Sequence, residues 1–198
     1  MPLWVRRCLR LCLSLLVSGA ILALRAREAR AQAGKVSAAR VIALVATKTS
    51  QLSVTVTSGA VQSIASLTDN AVNNFPTPVV ITTGWDVNPG QTNTVNLMAY
   101  FTTPAQALSG GSTQIPSSRV LGRMTTGLPA AFTAITQNAV GGVGTAGGSL
   151  RLFAQNITGA NKKTSRTDNL DLEINLVGFP TLAPGTYSGT LNLRAVTQ

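Results

Sequence analysis

The sequence contains no histidine, and its only two cysteines, Cys8 and Cys12, lie within the first twelve residues. The imidazole general base is therefore absent. Beyond residue 12 there is no thiol nucleophile, no disulfide and no thiolate to ligate a metal. Charged residues make up 11% of the chain, well under the roughly 25% of ordinary soluble domains, and aromatic residues only 5%. Acidic residues are scarcest: after residue 31 only Asp69, Asp86, Asp168, Asp171 and Glu173 remain. A carboxylate pair of the kind that cleaves glycosides would have to come from these. Asp171 and Glu173 stand two apart, which is the spacing of solvated neighbours on one face of a strand. With Asp168 they are also the only carboxylates close enough in sequence to suggest a weak calcium site. The expectation is a protein without catalytic residues, cofactor or metal.

The net charge of +10 is not a nucleic-acid signature. Six of the sixteen basic residues fall in the first 31: Arg6, Arg7, Arg10, Arg25, Arg27 and Arg30. Beyond them ten basic residues face five acidic ones, and only Lys162, Lys163 and Arg166 cluster. Such a group reads as a solvated loop, and no nucleic-acid partner is expected.

Residues 1–31 have the three parts of a secretory signal peptide. Arg6, Arg7 and Arg10 form a positive start. Leu11 to Leu24 is an apolar run shorter than the roughly 20 residues that span a bilayer. Ala29 and Ala31 flank Arg30 in a small-x-small cleavage site. The chain is thus expected to form a signal-peptide helix that touches a membrane only in transit, and then to be secreted to the periplasm, outer surface or extracellular space. Residues 32–48 follow as an N-terminal segment, with Val41 to Val45 as a donor strand or a first strand. Residues 49–198 form the folded domain.

What the sequence has in quantity is Val, Thr, Ser, Asn and Gly, the residues of pleated strands and tight turns. Leu52, Val54 and Val56 alternate with Ser53, Thr55 and Thr57. Val95 to Phe101 reads as a strand buried on both faces. Val79 to Ile81, Val120-Leu121, Phe132 to Ile135 and Leu150 to Phe153 are further short strands. Pro104 to Leu108 has a short helical character. Leu170, Leu172, Ile174 and Leu176 alternate with Asn169, Asp171, Glu173 and Asn175, which places the leucines and isoleucine inward and the acids outward. The last strand is expected to run through Tyr187, Leu191, Leu193 and Ala195. The glycine-rich stretch Val140 to Gly148 lacks the spacing of a phosphate-binding loop. Trp85 is the candidate for stacking on a ligand, although its apolar neighbours also suit a core position. The spacing of these strands and turns predicts an all-β antiparallel sandwich.

The phrases Asn169-Leu170-Asp171-Leu172-Glu173-Ile174 and Leu182-Ala183-Pro184-Gly185-Thr186-Tyr187-Ser188-Gly189-Thr190-Leu191 resemble the closing hairpin of spore-coat-protein-U-type and chaperone–usher pilin-like subunits. Gly185 stands fourteenth from the end of the chain, where such subunits carry a glycine. Thr197 occupies the place of their usual aromatic residue. The chain is also similar to secreted bacterial proteins with the phrases Trp85…Asn88-Pro89-Gly90, Ala99-Tyr100-Phe101 and Gly185-Thr186-Tyr187. The resemblance implies an immunoglobulin-like sandwich in which Gly185, Tyr187, Leu191 and Leu193 form an assembly hairpin. It also implies a structural or adhesive surface protein that assembles with copies of itself, or with other surface subunits, by strand complementation. The alternative is a stand-alone carbohydrate-binding module.

Overall fold

The computed structural model describes residues 46–110 and 113–198, and Lys48–Gln198 form one compact unit. The expected signal peptide, with its expected cleavage site at Ala29 and Ala31, and the segment Val41 to Val45 lie outside the described residues. The unit is built almost entirely of antiparallel strands. In chain order these are β1 (Gln51–Ser58), β2 (Val72–Asn74), β3 (Val79–Asp86), β4 (Thr94–Tyr100), β5 (Leu108–Gly110), β6 (Thr113–Ile115), β7 (Val120–Met124), β8 (Thr133–Ala134), β9 (Ser149–Asn156), β10 (Lys163–Asn175) and β11 (Asn192–Thr197). Two single-turn 3-10 helices, Pro104–Gln106 and Ser117–Arg119, are the only helical pieces among the described residues.

One sheet has the order β1-β3-β10-β7-β8, with β2 also paired to β10, and the second has the order β11-β4-β9. Their facing side chains share one hydrophobic core. The alternation in β3 follows from its sequence: Val79, Ile81, Thr83 and Trp85 are buried, while the residues between them are half-exposed. In β10, Leu170, Leu172 and Ile174 are buried, as is Leu176 just beyond it, in agreement with the period-two pattern. β4 is buried along nearly its whole length, because its outward positions Asn96 and Met98 are covered as well. The glycine-rich loop after Val140 lies against Val196 and Gln198 at Gly141. The left-handed backbone of Gly141, Gly142, Gly144 and Gly147 lets the loop turn back on itself in so few residues. Its glycines serve packing, consistent with the absence of a phosphate-loop pattern.

Two expectations are corrected. β10 starts at Lys163 rather than at Asn169, because the polar residues Lys163 to Thr167 pair in register with Asp86 to Thr82 of β3. Strand pairing there overrides the turn-like composition. The last strand starts at Asn192, not at Thr186. Upstream of it the chain leaves the sheet, and Ser188 exchanges two backbone hydrogen bonds with Ser109 of β5, at 2.9 and 3.1 Å. The detour requires glycine: a methyl group on Gly189 would overlap the Ala107 carbonyl oxygen, and one on Gly110 would meet the Tyr187 ring at 2.7 Å. Gly189→Ala is therefore expected to cost about 1–3 kcal/mol. Chemical denaturation reads the loss, and an unchanged midpoint would contradict the close approach.

Candidate functional site

Where the chain detours, the sandwich is left open. A groove of about 890 Å³ runs between two irregular lips, Gly59 to Leu67 on one side and Leu182 to Leu191 on the other. Its floor is apolar and comes from inward-facing strand positions, among them Val56, Val79, Val120, Leu170 and Leu172. Val56, Leu191 and Leu193 pack against the main core yet remain only half-buried. Among the described residues the strands bordering the opening are both sheet edges: β1 is hydrogen-bonded only to β3, and β11 only to β4. Each therefore presents a row of backbone groups free to pair with another strand.

The groove offers shape and apolar contact rather than charge. Its lining includes one carboxylate, Asp69, and one phenol, Tyr187. The Tyr187 hydroxyl donates to the Ala183 carbonyl at 2.8 Å, which folds Leu182 to Tyr187 into a tight corner. The four residues assigned to the assembly hairpin all line the groove, although they form no β-hairpin. Gly185 and Tyr187 belong to the lip, Tyr187 packs on a second small core of Ile115, Ile174 and Leu176, and Leu191 and Leu193 lean on the main core. The period-two pattern could not reveal the groove, because it assigns residues to faces and not to the edges where a sheet lacks a neighbour.

Trp85 is 5% exposed. Its ring packs against Phe153 at a centroid distance of 6.4 Å, and its indole N–H donates to the Asn161 carbonyl at 2.8 Å. It is a core residue, with no free ring face for a sugar.

The carboxylates do not converge. Asp168 points inward and is held by Arg166, whereas Asp171 points outward to Arg123 at 3.0 Å. Opposite faces of one strand cannot ligate one ion, and among the described residues no group of three potential metal ligands occurs. Glu173 is a correction: it is only 7% exposed although it lies on the outward face, flanked in register by Asn74 and Leu121. Burial raises its carboxyl above the ordinary value, and the Arg123 charge partly opposes that. An acid whose folded value is raised contributes stability below its unfolded value, and that stability is lost as pH rises through the folded value. Glu173→Gln should therefore be more stable than the parent at pH 7 and should lose that advantage at pH 4. Urea midpoints at both values check it, and a variant less stable at pH 7 would contradict the burial.

Asp86 ends β3, in register with Gln51 at the start of β1 and with Lys163 of β10. Lys48 donates to it at 2.6 Å, and Lys163 stands at 3.8 Å. The Lys48 hydrogen bond lowers its carboxyl below the ordinary value against an opposing effect of burial, and the charges of Lys48, Lys163 and Lys162 add to the lowering. Exposed pairs of this kind contribute little stability, but this one fixes where the chain enters β1.

Comparison with protein-family models, with curated proteins and with solved structures finds no match to this chain.

Proposed function

We propose that the protein is a secreted structural or adhesive surface subunit that assembles by strand complementation, with the groove as acceptor and the N-terminal segment of another copy as donor. The observation that carries this is the open apolar groove flanked by two strand edges that have no partner among the described residues. An immunoglobulin-type sandwich is supported by the order β1-β3-β10-β7 in one sheet and the neighbours β11-β4 in the other, which parallel A-B-E-D and F-C, while β8 and β9 have no counterpart in that order. In that fold a tyrosine corner stands at the entry to strand F. Here the Tyr187 corner precedes β11, and among the described residues no strand stands in the place of G. An incoming extended segment would pair with a free edge while alternate side chains fill the floor. Val41 to Val45 is an apolar stretch of the right length.

The same features argue against an enzyme, since the groove offers no nucleophile beside a base. The carbohydrate-binding alternative relied on exposed aromatic rings, and Trp85 is enclosed.

Deleting residues 34–47 tests the assembly. The truncated subunit should capture a synthetic peptide of that segment, and the full-length protein should form heat-resistant oligomers. A full-length chain that stays monomeric at high concentration, and unfolds as one cooperative unit, would overturn the proposal.

A further inference from the structure

One end of the groove is held shut by two adjacent side chains. The Asp69 carboxylate accepts from the backbone N–H of Leu182 at 3.1 Å, and the Asn70 side-chain carbonyl accepts from Gly178 N–H at 2.9 Å. Asp69 follows the end of one lip and Leu182 begins the other, so the bond crosses between them. The mounting of these two residues is rigid. Asn73, 6% exposed, accepts from Thr68 N–H at 2.7 Å and donates to the carbonyls of Thr68 and Ala71. Asn73 sits in β2, in register with Ile174 of β10. Asn70 has a φ of 52°, which makes it the only non-glycine residue with positive φ among the described residues. That left-handed turn, tolerated by asparagine better than by most residues, carries the chain between the two side chains that reach across.

We infer that Asp69 and Asn70 form a clasp that closes this end of the groove and sets the spacing of its lips, so that an apolar segment is admitted from the opposite end, where β1 and β11 are sheet edges among the described residues. The inference rests on the acceptor reading of the groove. Asp69 and Asn70 are positioning residues: they hold the lips, and the floor does the binding. The clasp bonds are exposed, so their loss should loosen the lips without disturbing the sandwich.

The double variant Asp69→Ala/Asn70→Gly in the full-length protein tests this, since glycine keeps the left-handed turn while the clasp is removed. Amide hydrogen exchange at Thr186 to Leu191 and at Gly59 to Leu67 should quicken about tenfold, the effect expected of losing weak surface hydrogen bonds. Exchange in β3 and β10 should stay as it was. Unchanged lips, or an acceleration shared equally by β3 and β10, would overturn the clasp. A labelled peptide of residues 34–47 separates the two ideas. With a working clasp it should associate and dissociate faster with the variant than with the parent. If it binds neither protein, the acceptor reading fails, and the exchange pattern alone decides whether the lips are clasped.

Discussion

Replacing Leu97 by alanine is expected to destabilise the protein by about 2–5 kcal/mol, whereas Leu172→Ala should cost about 2 kcal/mol, near the low end of the same range. Both leucines point into the main core, but their surroundings differ. Leu97 is fully buried at the centre of β4, with Ala195 of β11 on one side and Phe153 of β9 on the other. Its removal leaves a closed cavity between two sheets. Leu172 is also buried, but it lies on the floor of the groove. Shortening it enlarges a space that is already open, so the transfer loss remains while the cavity contribution shrinks. Urea denaturation gives both numbers, provided that the slope with denaturant is shared. Equal losses would mean that the groove is closed in solution.

That contrast also marks how much the sequence reveals. Leu170, Leu172, Ile174 and Leu176 are legible because alternation along one strand fixes which side chains are buried. Their partners are not legible, since register across strands depends on residues far apart in the chain. The polar residues Lys163 to Thr167 read as a loop and yet form the first five of the 13 residues of the longest strand, because β3 offers them a matching edge. Glu173 reads as solvated on the strength of its strand face, and it is buried by its neighbours on the adjoining strands. The phrase Leu182 to Leu191 was visible as an unusual string, but its two glycines, Gly185 and Gly189, do not announce a detour. Only the approach of Ala107 and Ser109 shows why the chain leaves the sheet and the groove stays open.

The largest electrostatic effect is expected at Arg166. Its Nε donates to Asp168 at 2.7 Å and its terminal nitrogen donates to the other oxygen at 2.5 Å, a forked pair that fixes both groups. The Thr126 hydroxyl donates to the same carboxylate at 2.8 Å. The guanidinium also lies over the Phe153 ring, 4.4 Å from its centre. Asp168 is only 1% exposed, while the Arg166 side chain retains 27% of its surface. The two partners should therefore respond unequally to mutation. Arg166→Ala leaves an enclosed carboxylate with a single hydroxyl for company, and the expected loss is about 3–5 kcal/mol. Asp168→Asn leaves a cation that can turn its head toward water, so it should cost less. Replacing both at once, as Arg166→Met/Asp168→Leu, removes the buried charge along with its partner and should recover much of the loss. A double-mutant cycle on urea midpoints measures the coupling. If Asp168→Asn proves the more damaging single change, or if the apolar pair is worse than Arg166→Ala alone, the carboxylate is better hydrated than its position implies, and this end of the sandwich admits water between β10 and β7.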